Sequence, residues 1–265
     1  MSKTLSLTVS VKVVRFNFRT GEKRKVLDEV AVEVPVNIFV GGEHFVTLLA
    51  LPEFIGELGV GHLLSEGVVK SVSDVLDVRV EDNNVYLSIK EGSVRAKASR
   101  VLRLITTACG SSSDYLKLLD SLDKPLVVSD AEVLGEDVLK MRNLLAENTV
   151  LFKRTGGTHG AGVFALNGDI IACVEDVGRH NAVDKVIGIC ALKGVDFSRT
   201  VIFSTGRMSA EMVLKAARAG IPIVASLSAP LNSGVIFAER SGVTLICFVR
   251  GNRFNIYTHE NRVIS

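Results

Sequence analysis

The sequence predicts a mixed α/β protein, with a β-rich N-terminal part over residues 1–105 and an α/β half over residues 125–265. Two patterns carry this reading. Near the start, Leu5, Leu7, Val9, Val11 and Val13 alternate with polar residues, the period of two of a half-buried strand. From Thr200 onward, apolar β-branched runs alternate with helical stretches closed by glycine, and strand–helix–strand–helix–strand implies a parallel βαβαβ unit with right-handed crossovers.

The elements follow in order. Val30, Val32, Val34, Val36 and Ile38 repeat the alternation as one strand, with Pro35 inside it marking an edge or a bulge and Gly41-Gly42 offering a hairpin turn. Residues 52–69 read as a helix through Phe54, Ile55, Leu58, Leu63 and Leu64, weakened by Gly56, Gly59, Gly61 and Gly67. Residues 75–80 and 85–89 form a hairpin around Asn83-Asn84. The polar run from Thr106 to Ser113 reads as the start of a mobile loop over 106–124 that joins the two parts. Residues 130–147 read as a helix capped by Ser129 or Asp130, and Asn167-Gly168 turns a hairpin between 162–166 and 169–174. A helix over 182–193 follows. The closing unit has strands at 200–203, 221–227 and 243–249, with helices at 208–219 and 231–240 ended by Gly220 and Gly242.

Composition excludes several classes. The 265 residues are 47% apolar and 23% charged, which excludes general disorder, and a net charge of +2 argues against a nucleic-acid coat protein. Residues 1–15 carry no apolar signal core. The uncharged stretch 219–238 contains Pro222, Pro230 and Asn232, so no membrane span is expected. Cys109, Cys173, Cys190 and Cys247 are too widely spaced for a zinc ribbon or a secreted disulfide scaffold, and the histidines show no metal-binding pair. A reduced, cytoplasmic protein without a metal site is expected.

Chemistry is expected beyond the carboxyl ends of the parallel strands. Four loops fall there: Glu175-Asp176-Val177-Gly178-Arg179-His180-Asn181, Ser204-Thr205-Gly206-Arg207, Ser228-Ala229-Pro230 and Arg250-Gly251-Asn252-Arg253. Three of them open helices, whose free N–H groups favour anions, and arginine forks suit phosphates. Ordinary turn chemistry uses the same residues. Thr155-Gly156-Gly157-Thr158-His159 is a second glycine-rich segment, read either as a turn before a hairpin or as a place of close backbone approach to a ligand. Cys173, Cys190 and Cys247 lie among apolar residues as small hydrophobes. Cys109 lies in a polar Gly-Ser stretch, where a thiolate can be presented, though an exposed loop cysteine is also compatible with no role.

Taken together these residues resemble the formate dehydrogenase accessory sulfurtransferase (FdhD) family, from about Val34 to Val263. The resemblance is densest in Thr155–His159, Glu175-Asp176-Val177-Gly178-Arg179-His180-Asn181-Ala182-Val183-Asp184-Lys185, Thr205–Met212, Ala219–Pro222, Ser228–Pro230 and Gly242–Leu245. It implies a cytidine-deaminase-like fold with an added β-rich part, and a homodimer. It also implies a carrier that takes persulfide sulfur from a cysteine desulfurase on Cys109. The recipient would be the bis-molybdopterin guanine dinucleotide cofactor of the formate dehydrogenase apoenzyme. The cofactor would be held by the conserved loops, including Phe248-Val249-Arg250-Gly251-Asn252-Arg253, with GDP or GMP as its mimic. The family's second loop cysteine is Ser112 here, which removes release by an internal disulfide. The alternative is a chaperone that binds the cofactor without sulfur chemistry of its own.

Overall fold

The computed structural model describes residues 6–93 and 125–265. The loop expected over 106–124, with Cys109 and Ser112, lies outside the described residues. The N-terminal elements are β1 (Thr8–Phe16), β2 (Lys23–Ala31), β3 (Val34–Val40), β4 (Glu43–Ala50), α1 (Ile55–Ser65), β5 (Val75–Glu81) and β6 (Asn84–Ile89). After residue 124 come β7 (Val133–Leu134), α2 (Gly135–Asn148), α3 (Val150–Thr155), β8 (His159–Ala165), β9 (Ile170–Asp176) and α4 (Arg179–Leu192). The chain closes with β10 (Thr200–Ser204), α5 (Ala210–Ala219), β11 (Ile223–Ser226), α6 (Asn232–Ser241), β12 (Thr244–Arg250), β13 (Arg253–Thr258) and β14 (Val263–Ile264).

The mixed α/β expectation is met. A six-stranded sheet runs β13-β12-β11-β10-β8-β9, and a four-stranded sheet runs β4-β3-β6-β5. Strands β10, β11 and β12 are parallel, as the βαβαβ pattern requires. Their central residues are apolar on both faces because both faces are covered. Val201, Phe203, Ile223, Ala225 and Ile246 face Val138, Met141 and Leu145 of α2. Ile202, Val224, Leu245 and Cys247 face the opposite core, shared with α1, α4, α5 and the inner face of the four-stranded sheet.

Helix α1 lies in the middle of that second core, which explains its lack of a polar face. Its glycines weaken it as an isolated helix but make its packing possible. A Cβ on Gly61 would strike the Asp184 carbonyl of α4, and one on Gly188 of α4 would strike the Glu57 carbonyl of α1. The two backbones therefore cross in contact. Gly188→Ala is expected to destabilise the fold by about 3 kcal/mol, since backbone cannot yield as a side chain would. An unchanged denaturant midpoint would show that the crossing has room.

Several expectations need correction. The run 30–38 is not one strand: β2 ends at Ala31 and β3 starts at Val34. β3 is an inner strand, not an edge. Pro35 is tolerated because it pairs only with Leu49 of β4, while β6 joins from Asn37 onward; the bulge falls at Ile38/Phe39. The first strand does not bury a face in the core. Among the described residues it pairs only with β2, and Val9, Val14 and Phe16 stay exposed. The helix expected from Asp130 starts at Gly135, because Val133–Leu134 pairs in parallel with Val263–Ile264. Ser129 instead accepts from the Ala131 N–H in a local turn. Strand β13 was not foreseen.

Candidate anion-binding edge of the sheet

Topology brings the expected loops together. Parallel β10, β11 and β12 end at one edge; β8 and β13, antiparallel to their neighbours, begin there, and β9 ends there. The edge therefore gathers the Thr155–His159 turn and the four loops after β9, β10, β11 and β12. The β10 and β11 loops are tied by Met208 N–H to the Ala229 carbonyl (3.1 Å) and Leu231 N–H to the Met208 carbonyl (2.8 Å).

Helices α4, α5 and α6 all begin at this edge, after Gly178, Ser209 and Leu231, and none has a side-chain cap. Their first N–H groups lack the carbonyl partners of a helix interior, a partial positive charge at each start, although in α6 the Ser233 N–H donates to Asn232 Oδ1 (2.8 Å). Among the described residues, the buried side-chain polar atoms without a hydrogen-bond partner are Arg179 Nε, His180 Nε2 and Ser209 Oγ, all at this edge. His180 Nε2 lies 3.2 Å from Glu211 Oε2 but is not aligned to donate to it. The Arg179 side chain packs on the bare Cα of Gly206, where a Cβ would collide with it.

Some expected residues serve the scaffold. Asp176 is fully buried: Oδ2 pairs with Lys185 Nζ (2.6 Å) and accepts from Leu51 N–H (3.0 Å), while Oδ1 accepts from Gly178 N–H and Asn181 Nδ2. Asn181 also donates to the Leu49 carbonyl (2.7 Å). These two residues lock the β9 loop onto β4. Burial pushes the Lys185 ammonium down from its ordinary range, with Asp176 opposing. Ser204 accepts from Gly206 N–H, and Ser226 donates to the Gly206 carbonyl, so both shape the β10 turn. Thr155 and Gly156 close α3, with Gly156 left-handed at φ 66° and Gly157 N–H donating to Thr155 Oγ1.

Other residues line a cavity of about 560 Å³ between α2 and the ends of β10–β12. Ser228, Val249, Arg250 and Gly251 were expected there; Thr205, Arg142, Asn143, Ala146 and Leu227 join them. Phe248 is left-handed at φ 54° within a bulge, and the Arg250 guanidinium stacks over its ring at 5.3 Å. Arg250 Nε donates to the Leu227 carbonyl (3.1 Å). Arg142 Nη1 donates to the Gly251 carbonyl (2.6 Å) and clamps the turn from the opposite wall. Arg207, Asn252 and Arg253 are exposed around it. Arg142 was missed because one arginine on an amphipathic helix carries no motif; Thr205 stood within a loop already singled out.

His159 connects the two regions. Its Nδ1 lies 3.2 Å from Thr205 Oγ1, which also accepts from Gly160 N–H. Burial, helped by Arg179 and His180 and opposed by Asp176, holds its imidazole below the usual range.

The fold and this edge define an α/β protein whose parallel strands end in loops that carry uncapped helix starts and the arginines Arg179, Arg207 and Arg250. The family it belongs to is FdhD/NarQ, whose profile matches residues 31–264. The sulfur carrier protein FdhD of Methanothermobacter thermautotrophicus is 37% identical over 243 residues, covering 92% of this chain and 94% of that protein. The sulfur carrier protein FdhD of Geobacillus kaustophilus is 34% identical over 249 residues, covering 93% and 94%. A crystal structure from Desulfotalea psychrophila, assigned as a formate dehydrogenase accessory protein, superposes with a TM-score of 0.80 at 26% identity, covering 98% of this chain and 100% of that one. No helix among the described residues is long and apolar enough to cross a membrane.

Proposed function

We propose that this chain is a cytoplasmic, homodimeric sulfur carrier that loads sulfur on Cys109 and delivers it to the bis-molybdopterin guanine dinucleotide cofactor destined for formate dehydrogenase. In the first step the Cys109 thiolate attacks the sulfane sulfur of a cysteine desulfurase persulfide. The donor S–S bond breaks and the donor leaves as a thiolate, with no net redox change. In the second step the S–S bond on Cys109 breaks and Cys109 keeps the electron pair. The sulfane sulfur becomes sulfide with an electron pair supplied by the cofactor's metal, which is the substrate here.

The observation that carries this reading is the division among the cysteines. Burial pushes Cys173, Cys190 and Cys247 each up to about 12, Cys173 with a further push from Glu175. At pH 7 on the order of one in 100,000 of such thiols is ionised. Cys109, in its polar stretch, is the remaining thiol. The edge supports the second half: helix starts and arginines suit the diphosphates of a guanine dinucleotide.

Mass spectrometry after incubation with a desulfurase tests the proposal, with gain of one sulfur atom on Cys109 expected. No gain with GDP binding intact replaces the carrier with the cofactor chaperone, the reading that Ser112 favours. Arg142→Met is expected to weaken GDP binding about tenfold by loosening the Arg250–Gly251 turn, roughly the value of one charged hydrogen bond. Calorimetric titration reads this, and an unchanged affinity would remove the α2 wall from the site.

A further inference from the structure

We propose that the ribbon of β1 and β2 carries a lipid-docking face, which lays this chain on an anionic membrane surface. The inference goes beyond the carrier reading and does not depend on it.

The ribbon stands apart from the two larger sheets, since among the described residues β1 and β2 pair only with each other. A two-stranded hairpin is marginal by itself, and this one is held at its base. Arg154 of α3 forks onto both Glu29 oxygens (2.6 and 2.8 Å), and Val32 N–H donates to the Leu7 carbonyl (3.0 Å). The outer turn is closed as well. Asn17 N–H donates to the Glu22 carbonyl and Gly21 N–H to the Asn17 carbonyl, each at 2.9 Å. Asn17 Oδ1 accepts from the Arg19 and Thr20 N–H groups. Phe18 sits within this fixed turn and is 90% exposed.

Register sorts the strand residues onto two faces. Val11, Val13 and Val26 share one with Arg15, Arg24 and Asp28, and the three valines are half-buried. The arginines there have carboxylates: Arg15 lies 3.8 Å from Asp28, and Arg24 lies 2.7 Å from Glu22. On the other face Lys12 stands opposite Leu27, Val14 opposite Lys25 and Phe16 opposite Lys23. Val14, Phe16 and Leu27 are each more than half exposed. Lys12, Lys23 and Lys25 make no ion pair among the described residues. The strand positions of this face hold one carboxylate, Glu29 at the base, which Arg154 engages.

A cation therefore faces an apolar side chain at three successive rungs. The apolar groups gain by leaving water, while ammonium groups on flexible stems stay hydrated beside them. A lipid headgroup layer meets both needs. Its acyl boundary takes Val14, Phe16, Phe18 and Leu27, and its anionic headgroups meet the lysines wherever they fall. A folded protein surface would instead present carboxylates at fixed places, the use to which the opposite face puts its arginines.

Co-sedimentation of the full chain with vesicles of mixed phosphatidylglycerol and phosphatidylcholine, against phosphatidylcholine alone, tests the face. Binding is expected only with the anionic lipid, and it should weaken as salt is raised. Lys12→Gln, Lys23→Gln and Lys25→Gln together are expected to weaken it about a hundredfold. Phe16→Ser with Phe18→Ser is expected to weaken it about tenfold at unchanged charge. An equal loss of charge at the exposed Lys70, Lys90 and Lys193, outside the ribbon, is expected to change it by about twofold at most. No uptake by anionic vesicles overturns the proposal, as does uptake that the control set reduces as much as the ribbon set. Light scattering that shows a dimer broken by the phenylalanine substitutions, without vesicle uptake, also overturns it and gives the face to a second copy of the chain.

Discussion

Replacing Cys109 by alanine is expected to reduce formate dehydrogenase activation to background and to eliminate sulfur loading. The loss should be complete because no other cysteine can substitute. Cys190 and Cys247 are buried in the core, and Cys173 lies on β9. With thiols pushed up to about 12, none of the three presents a thiolate to a desulfurase. The variant is expected to keep its GDP affinity, since the change removes no arginine and no helix start from the edge. Coupled activation assays and intact-mass measurement on the same preparation check the result. Normal activation by the alanine variant would leave cofactor binding as the only role.

Asp184→Ala is expected to destabilise the fold by about 3–5 kcal/mol, the usual consequence of stranding a buried charge. Asp184 lies on α4, and both its oxygens approach Lys215 Nζ of α5, at 2.8 and 3.0 Å. Ser65 donates to it, and His62 Nδ1 lies 2.9 Å away, both from α1. Lys215 also pairs with Glu66 at 2.6 Å. The network pins three helices together beneath the edge. Alanine leaves the Lys215 ammonium with Glu66 and the Ser65 hydroxyl, and removes the carboxylate to which Ser65 donates. Asp184→Ala combined with Lys215→Met is expected to recover part of the loss, since it removes the stranded ammonium but leaves Glu66 with the Arg218 guanidinium 3.9 Å away.

The pH dependence has a definite sign. Burial pushes the Asp184 carboxyl up, but Lys215 and His62 outweigh it and hold the carboxyl well below the usual range. A carboxyl depressed on folding contributes stability that is full above about pH 4 and is lost as pH falls through its folded value. Burial likewise pushes Lys215 down, and Asp184 and Glu66 outweigh it, leaving it raised. Its contribution is full below about pH 10 and is lost as pH rises through the folded value. Denaturant midpoints of the native chain should therefore fall at the acid end more steeply than those of the double variant. Parallel profiles would show that the network carries no such linkage.

Much of the fold was legible because its signals are local. The period-two runs, the Gly41-Gly42 and Asn167-Gly168 turns and the glycines closing α5 and α6 each depend on a few adjacent residues. What failed was non-local. Nothing near Asp130 announces that Val133–Leu134 pairs with Val263–Ile264 and delays the helix. Nothing near Val9 announces that its strand meets only one partner among the described residues. For the site, loop position after the strands was enough to place Arg179, His180, Ser228 and Arg250 on one edge. Their division of labour was not legible. Asp176 and Asn181 stand in the same run as Arg179, yet their side chains turn inward to Lys185, Leu51 and Leu49. Arg142 arrives from a helix more than a hundred residues earlier than the turn it clamps.

The sequence by itself determined the mixed α/β class, the parallel C-terminal unit, the edge where the loops after the strands meet and the family to which their motifs belong. Hydrophobic period and turn chemistry are properties of neighbouring residues and survive being read one dimension at a time. Only the tertiary structure decided which loop residues face outward, which lock the scaffold, and which polar atoms remain without a partner. Those outcomes depend on burial and hydrogen-bond satisfaction, and both are properties of the whole packed chain.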